Sequence, residues 1–263
     1  MMQIGLELWL FAAALGTSML GGVLGMASGI FIVPILTMFA RIDIHTAIGA
    51  SLVSVIACSC AGAAPFLKER LTNIRLAILL ETATTSGALC GVFLAGLIPA
   101  DYLYLLFAFI LLLSAQQMLA RRKEPARERD APYSVQRIPL GMILMYGAGL
   151  ISALLGIGSG VLKIPAMDTA LRLPIKVSSA TSNFMIGVTA AASAAAYFAR
   201  GEIVTSVAAP IALGSVVGAV LGARILMNVP AQRLRLMFVG ILVILASQMV
   251  LAALGIHLIG PAS

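Results

Sequence analysis

Apolar residues in this chain come in long unbroken runs, and polar residues are gathered between them. Eight runs approach or exceed twenty residues: 4–24, 44–67, 74–98, 100–119, 138–155, 175–199, 203–227 and 234–259. A helix of about 20 apolar residues crosses the ~30 Å hydrocarbon core of a bilayer. Each run therefore predicts a transmembrane helix. Two further runs, 27–40 and 159–171, are apolar but short. As helices of about 14 residues they rise only about 21 Å. Each contains a proline, Pro34 or Pro165, and opens on a Gly/Ser cluster. The strongly hydrophilic stretch runs from Arg121 to Arg137 and is broken by Pro125 and Pro132.

The two short runs are copies. Gly25-Met-Ala-Ser-Gly29 leads to Pro34, and Gly156-Ile-Gly-Ser-Gly160 leads to Pro165. The same interval of 131 residues, from 25 to 156, pairs Ser51 with Ser182, Gly87 with Gly218, Gly91 with Gly222 and Pro99 with Pro230. It also pairs Phe107 with Phe238 and Gln117 with Gln248. One register held over some ninety residues predicts an internal duplication. The expected organisation is a first transmembrane repeat over 1–119, a basic linker over 120–137 and a second repeat over 138–263. Paired Gly/Pro-interrupted segments in two halves point to a transporter's binding site.

Charge placement bears on topology. Loops rich in Lys and Arg stay in the cytoplasm, which puts the linker, with Arg121, Arg122, Lys123, Arg127, Arg129 and Arg137, inside. If the short segments cross the membrane, thirteen basic residues lie inside and two, Arg41 and Arg200, outside. If they dip and return, the division is ten to five. Charge favours crossing, which inverts the halves as 5+5. The shortness of the segments favours the alternative, 4+4 with re-entrant segments. Either way the fold class is all-α, a polytopic helix bundle with eight long spans and two short broken segments.

Composition agrees. Of 263 residues, 61% are hydrophobic and 10% charged, with mean hydropathy +1.07. A soluble domain carries about a quarter charged residues and could not cover this much apolar surface. The net charge of +7 would suggest nucleic acid in a soluble protein. Here the charges sit in loops, and no basic helix with interleaved aromatics occurs, so no nucleic-acid partner is expected. Before the apolar stretch 8–24 there is Glu7 and no Lys or Arg. A secretory signal needs a basic start, so the run reads as a retained helix. Cys58, Cys60 and Cys90 lack metal or redox spacing and read as small packing residues. No HExxH, nucleophile elbow, paired carboxylates or ATP-binding motif is present. That predicts no enzyme, cofactor or metal, and leaves a gradient as the driving force.

Several polar residues inside the apolar runs are candidates for function. Helix breaks leave backbone groups unpaired, which hydrocarbon tolerates only where they are buried in protein or line a cavity. Two facing breaks aim N–H groups and positive helix ends at one point, which suits an anion. Gly25, Ser28, Gly29, Gly156, Ser159 and Gly160 form these breaks. Gly87, Gly91, Gly218 and Gly222 read instead as close-packing residues. Lys163 stands in the second short run where the first has Ile32. A charge there is a functional hypothesis by default, as counter-charge for an anion. Glu81, among Thr82, Thr84, Thr85 and Ser86, is a candidate proton-coupling group, or else a partner for Lys163. Ser51, Thr181, Ser182 and Asn183 could hydrogen-bond an oxyanion or cap helices. Asp168, Arg172 and Lys176 read as loop residues near an entrance, and His45 and His257 have no partners suggesting metal.

The stretches Gly25–Pro34 and Gly156–Pro165 resemble the two GxGGGxxxxP-type signatures of the TauE/SafE family of sulfite and organosulfonate permeases. Ala47-Ile-Gly-Ala-Ser51-Leu52 and Ser179-Ala-Thr-Ser182-Asn183 resemble the motif that follows each signature. Met26, Ala27 and Ser28 stand where the family more often has Gly. The resemblance covers nearly the whole chain. It implies a bacterial inner-membrane carrier of a small sulfur-containing anion or a related organic acid. The small residues along the helices fit internal packing or a homodimer interface equally well.

Overall fold

The computed structural model describes residues 2–24, 28–68, 70, 72–120, 135, 137–226 and 231–254, some of them by backbone alone. Gly25, most of the 120–137 linker and His257 lie outside the described residues, as do the side chains of Asp168 and Lys176. Among the described residues there are ten helices and no strand. They are α1 Met2–Leu24, α2 Gly29–Phe39, α3 Ile44–Lys68, α4 Ile74–Ala95 and α5 Ala100–Ala120, followed by α6 Ile138–Leu155, α7 Gly160–Thr169, α8 Ile175–Ala199, α9 Thr205–Leu226 and α10 Ala231–Ala253.

Five helices are long and apolar enough to cross a membrane among the described residues: α3, α4, α5, α6 and α9. The described apolar parts of α1 and α10, Gly5–Gly21 and Val239–Ala253, are shorter. The sequence predicts eight long spans. α8 has 25 residues, but Lys176, Ser178, Ser179, Thr181, Ser182 and Asn183 crowd its beginning and lower its apolarity.

The two short segments form helices of 11 and 10 residues, about 16 and 15 Å long. Pro34 and Pro165 sit inside them. A proline lacks the N–H that would bond the carbonyl four residues back.

Helix starts recur at the interval read from the sequence. Gly29 and Gly160, Ile44 and Ile175, Ile74 and Thr205, and Ala100 and Ala231 are each 131 residues apart. Packing recurs too. α1 lies along α9, and their counterparts α6 and α4 lie together. α3 packs on α8, and α5 on α10. α3 also packs on α9 as α8 does on α4.

Glycine stripes allow these pairs to approach. A Cβ on Gly87 or Gly91 would collide with the carbonyl oxygen of Tyr146 or Leu150 on α6. One on Gly218 or Gly222 would meet that of Leu15 or Met19 on α1. The four glycines are thus packing residues, as their spacing predicts. Outward faces are apolar, with Phe93, Leu97, Phe109, Ile143 and Phe198 exposed. Such surfaces suit lipid, not water.

Candidate functional site

α6 ends at Gly156, whose φ of 64° is left-handed and whose N–H bonds the Ser152 carbonyl at 2.8 Å. Glycine adopts this conformation without the penalty an L-side chain meets. The turn turns the Gly156 carbonyl toward the other half of the chain. Ser51 on α3 donates to it at 2.8 Å, with the Ile48 carbonyl as an alternative acceptor at 2.7 Å. The same carbonyl lies against Gly29, where a Cβ would collide with it. The two breaks, 127 residues apart from Gly29 to Gly156, therefore meet at one point beside Ser51.

Around this point the halves differ. Ser28, at the start of α2, lies 2.6 Å from the hydroxyl of Ser54 on α3, which lies 2.5 Å from that of Ser215 on α9. All three are fully buried. The counterparts of Ser28 and Ser51 are Ser159 and Ser182. Both are buried, and neither hydroxyl has a hydrogen-bond partner among the described residues. Ser178, one turn before Ser182, is buried and unpaired as well. Unsatisfied hydroxyls in a protein interior are costly and uncommon. Here they gather at the start of α7 and on the face of α8.

One helical turn after Ser159, Lys163 is 0% exposed. Its Nζ donates to Glu81 Oε2 at 3.2 Å and to Thr189 Oγ1 at 2.6 Å. The Thr189 hydroxyl lies 2.5 Å from Glu81 Oε1, to which it donates, and 3.2 Å from the Met185 carbonyl. Thr85 donates to Glu81 Oε1 at 3.2 Å. A buried charge survives only when paired and hydrogen-bonded. Three helices supply that here: α4, α7 and α8.

The remaining predicted residues are placed differently. Ser51, Thr181, Ser182 and Asn183 lie about two turns inside α3 and α8, so they cap neither helix. The chain reaches helical geometry at Ile44 and Ile175, well before them. Thr181 accepts from the Asn73 N–H at 3.1 Å, and Asn183 accepts through its backbone carbonyl from Ser59 at 2.5 Å. Both bonds tie α8 to its neighbours. Ser28 and Ser159 stand at helix starts without making a side-chain capping bond. Arg172 is exposed, as a loop residue would be.

Thr189, Ser54 and Ser215 belong to the cluster but were not singled out by the sequence. A signal exists for Thr189. Ser178, Ser182, Thr189 and Ser193 recur on one face of α8 at helical spacing, and all four are buried. An inward hydroxyl stripe in an apolar helix is legible once the helix start is known.

Comparison with known proteins bears on what this arrangement serves. The sequence profile of the family described as sulfite exporter TauE/SafE matches residues 10–249. The chain is 29% identical over 206 residues to the probable membrane transporter protein YdhB of Bacillus subtilis, covering 77% of this chain and 83% of that one. It is 24% identical over 251 residues to the probable membrane transporter protein YunE of the same organism, covering 88% and 92%. A probable membrane transporter protein of Xylella fastidiosa is 26% identical over 205 residues, covering 76% and 77%. No solved structure matches the chain.

Proposed function

The chain belongs to the sulfite exporter TauE/SafE family, and on that premise we propose that it is a secondary transporter of a small anion, sulfite, a sulfonate or a related organic acid. The observation that carries this reading is the pair of buried hydroxyls without a partner among the described residues, Ser159 at the start of α7 and Ser182 on α8, with Lys163 one turn after Ser159. Donors without acceptors, next to a positive helix end and an ammonium group, suit an oxyanion. Gly156 and Gly160 shape the break so that the anion can approach the backbone. Ser28, Gly29 and Ser51 form the facing wall, with Gly25 adjoining in the sequence. Thr181 and Asn183 hold α8 in place behind Ser182.

The halves are inverted repeats of five segments, crossing a bacterial inner membrane with the basic linker in the cytoplasm. The distribution of Lys and Arg supports this arrangement. Rocking of one repeat against the other then exposes the site alternately to the two sides. No catalytic role is assigned.

The test is binding by the purified protein, followed by thermal shift across sulfite, sulfate, thiosulfate, taurine, short carboxylates and inorganic cations. A ligand that binds only the folded state raises stability by about 2.7 kcal/mol at a hundred times its Kd. Stabilisation by one class of anion, lost in Ser159→Ala and Ser182→Ala, supports the reading. Stabilisation by cations or neutral solutes alone overturns it.

A further inference from the structure

Lys163 has no charge to spare as the chain is packed. Its ammonium group is matched by the Glu81 carboxylate at 3.2 Å, and the pair is buried together, the lysine side chain fully and the glutamate side chain 11% exposed. An anion entering at Ser159 and Ser182 would meet a site whose positive charge is already neutralised. Bringing a further negative charge into this interior while Glu81 stays ionised leaves one charge uncompensated, which low-dielectric surroundings strongly disfavour.

The ion pair is not needed to build the helices around it. At the matching positions of the other half the chain carries Ile32 for Lys163, Ala212 for Glu81, Cys58 for Thr189 and Val216 for Thr85. Those residues sit in α2, α9 and α3, which pack on one another as α7, α4 and α8 do. The same arrangement of helices is thus made once with apolar residues and a thiol, and once with a charged cluster. Replacing a buried ion pair by apolar residues commonly leaves a fold as stable or more so. The charges in the second half therefore call for a reason other than packing.

Resting on the anion-transport reading above, we infer that the transported anion, bound as a monoanion, and Glu81 compete for Lys163, and that Glu81 takes up one proton for each anion bound. The step balances simply. A proton from water binds a Glu81 carboxylate oxygen, an O–H bond forms, and Glu81 goes from −1 to neutral. A monoanion takes its place beside Lys163, so the site remains neutral before and after. The partly exposed edge of Glu81 gives the proton access that the fully buried lysine lacks.

Thr189 is the positioning residue for this exchange. Its hydroxyl now accepts from Lys163 and donates to Glu81. Once Glu81 is protonated, the carboxyl O–H can donate to Thr189 instead. The threonine proton then has the Met185 carbonyl as acceptor, already 3.2 Å away. No backbone movement is required for this reversal.

Among the described residues no other charge competes within the cluster. α7 contributes Lys163, and the side chain of its Asp168 is outside the described residues. α6 carries no charged residue between Ile138 and Leu155, with Tyr146 as its titratable group. On α8, Lys176 stands in the first turn and Tyr197 near the far end. On α4, Arg75 and Cys90 are exposed, and Arg200 reaches the opposite end of that helix, at the Val92 carbonyl.

The experiment uses sulfite as probe and the full-length protein in detergent. Calorimetric titration in two buffers of different ionisation enthalpy counts the protons taken up per sulfite bound. Wild type is compared with Glu81→Gln, so that protonation of sulfite itself cancels. The expected result is about one more proton per bound anion in wild type, with binding retained in Glu81→Gln. Equal proton counts in the two proteins, with both binding, overturn the competition and leave anion transport standing. Failure of sulfite and every other anion of the panel to bind overturns both. A measurement on wild type alone is independent of whether the variant folds. Infrared difference spectra on adding sulfite should gain the C=O stretch of a protonated buried carboxyl, and its absence would overturn the proposal.

Discussion

The hydroxyl of Ser51 donates to the carbonyl of Gly156 across 2.8 Å, joining residues 105 apart in the chain. The bond lies where the two interrupted segments touch, and it closes one wall of the candidate site. Its counterpart in the other half, the hydroxyl of Ser182, has no partner among the described residues. Two serines at matching positions thus differ in what they bond, and the duties we propose for them differ accordingly, one structural and one available to a ligand.

Substitution separates those duties. Ser51→Ala should lower stability by about 1–2 kcal/mol, because it leaves a buried carbonyl without its donor. Ser182→Ala should leave stability unchanged or slightly raised, because it removes an unsatisfied group, while anion binding weakens. Thermal unfolding and anion binding measured on both proteins check this. Equal loss of stability in the two variants would contradict it.

The glycine stripe gives a second contrast. Gly87→Ala places a methyl group against the Tyr146 carbonyl, a backbone atom that cannot move aside easily. Gly147→Ala places one where nothing lies within 4 Å. The first should cost about 1–3 kcal/mol through overpacking. The second should be neutral or mildly stabilising, since alanine favours helix. Unfolding midpoints in one detergent are sufficient to compare them.

Removing one member of the buried ion pair should be worse than removing both. Lys163→Ala strands Glu81 and should cost about 3–5 kcal/mol near neutral pH. Lys163→Ala combined with Glu81→Gln should regain most of the stability and none of the transport. A double-mutant cycle on stability, run beside a vesicle flux assay, measures both effects.

The inverted arrangement has its own test. Five crossings per half put Ala253 on the side opposite the linker, whereas re-entrant segments put both on the same side. Reporter fusions within 121–134 and after Ala253 should therefore report opposite sides. A shared side would establish the 4+4 alternative.

Much of this was readable without coordinates, and particular residues explain why. The helices beginning at Ile44, Ile74 and Ile138 follow from the length of their apolar runs, because a bilayer admits few other backbone arrangements. The interval between Gly25 and Gly156 anticipated the spacing of the later helix starts. The packing role of Gly87 and Gly218 followed from their four-residue spacing to Gly91 and Gly222. Ser51 and Ser182 were harder. A capping role at a helix start fits a serine near a break, but both helices begin two turns earlier, and sequence periodicity marks boundaries poorly.

By itself the sequence determined the solvent of this protein, its helical class, the 131-residue interval at which its helix starts recur and the two places where helices break. These are consequences of composition and of order along one chain. Only the tertiary structure decided which polar groups meet. Lys163 and Glu81 are 82 residues apart, and Thr189 is 108 from Glu81; nothing in their local spacing brings them together. Their contact arises because α4 and α7 both pack on α8, an outcome set by side-chain fit between helices distant in the chain. The same packing satisfied Ser51 and left Ser182 open, a distinction that identical residues at matching positions could not reveal.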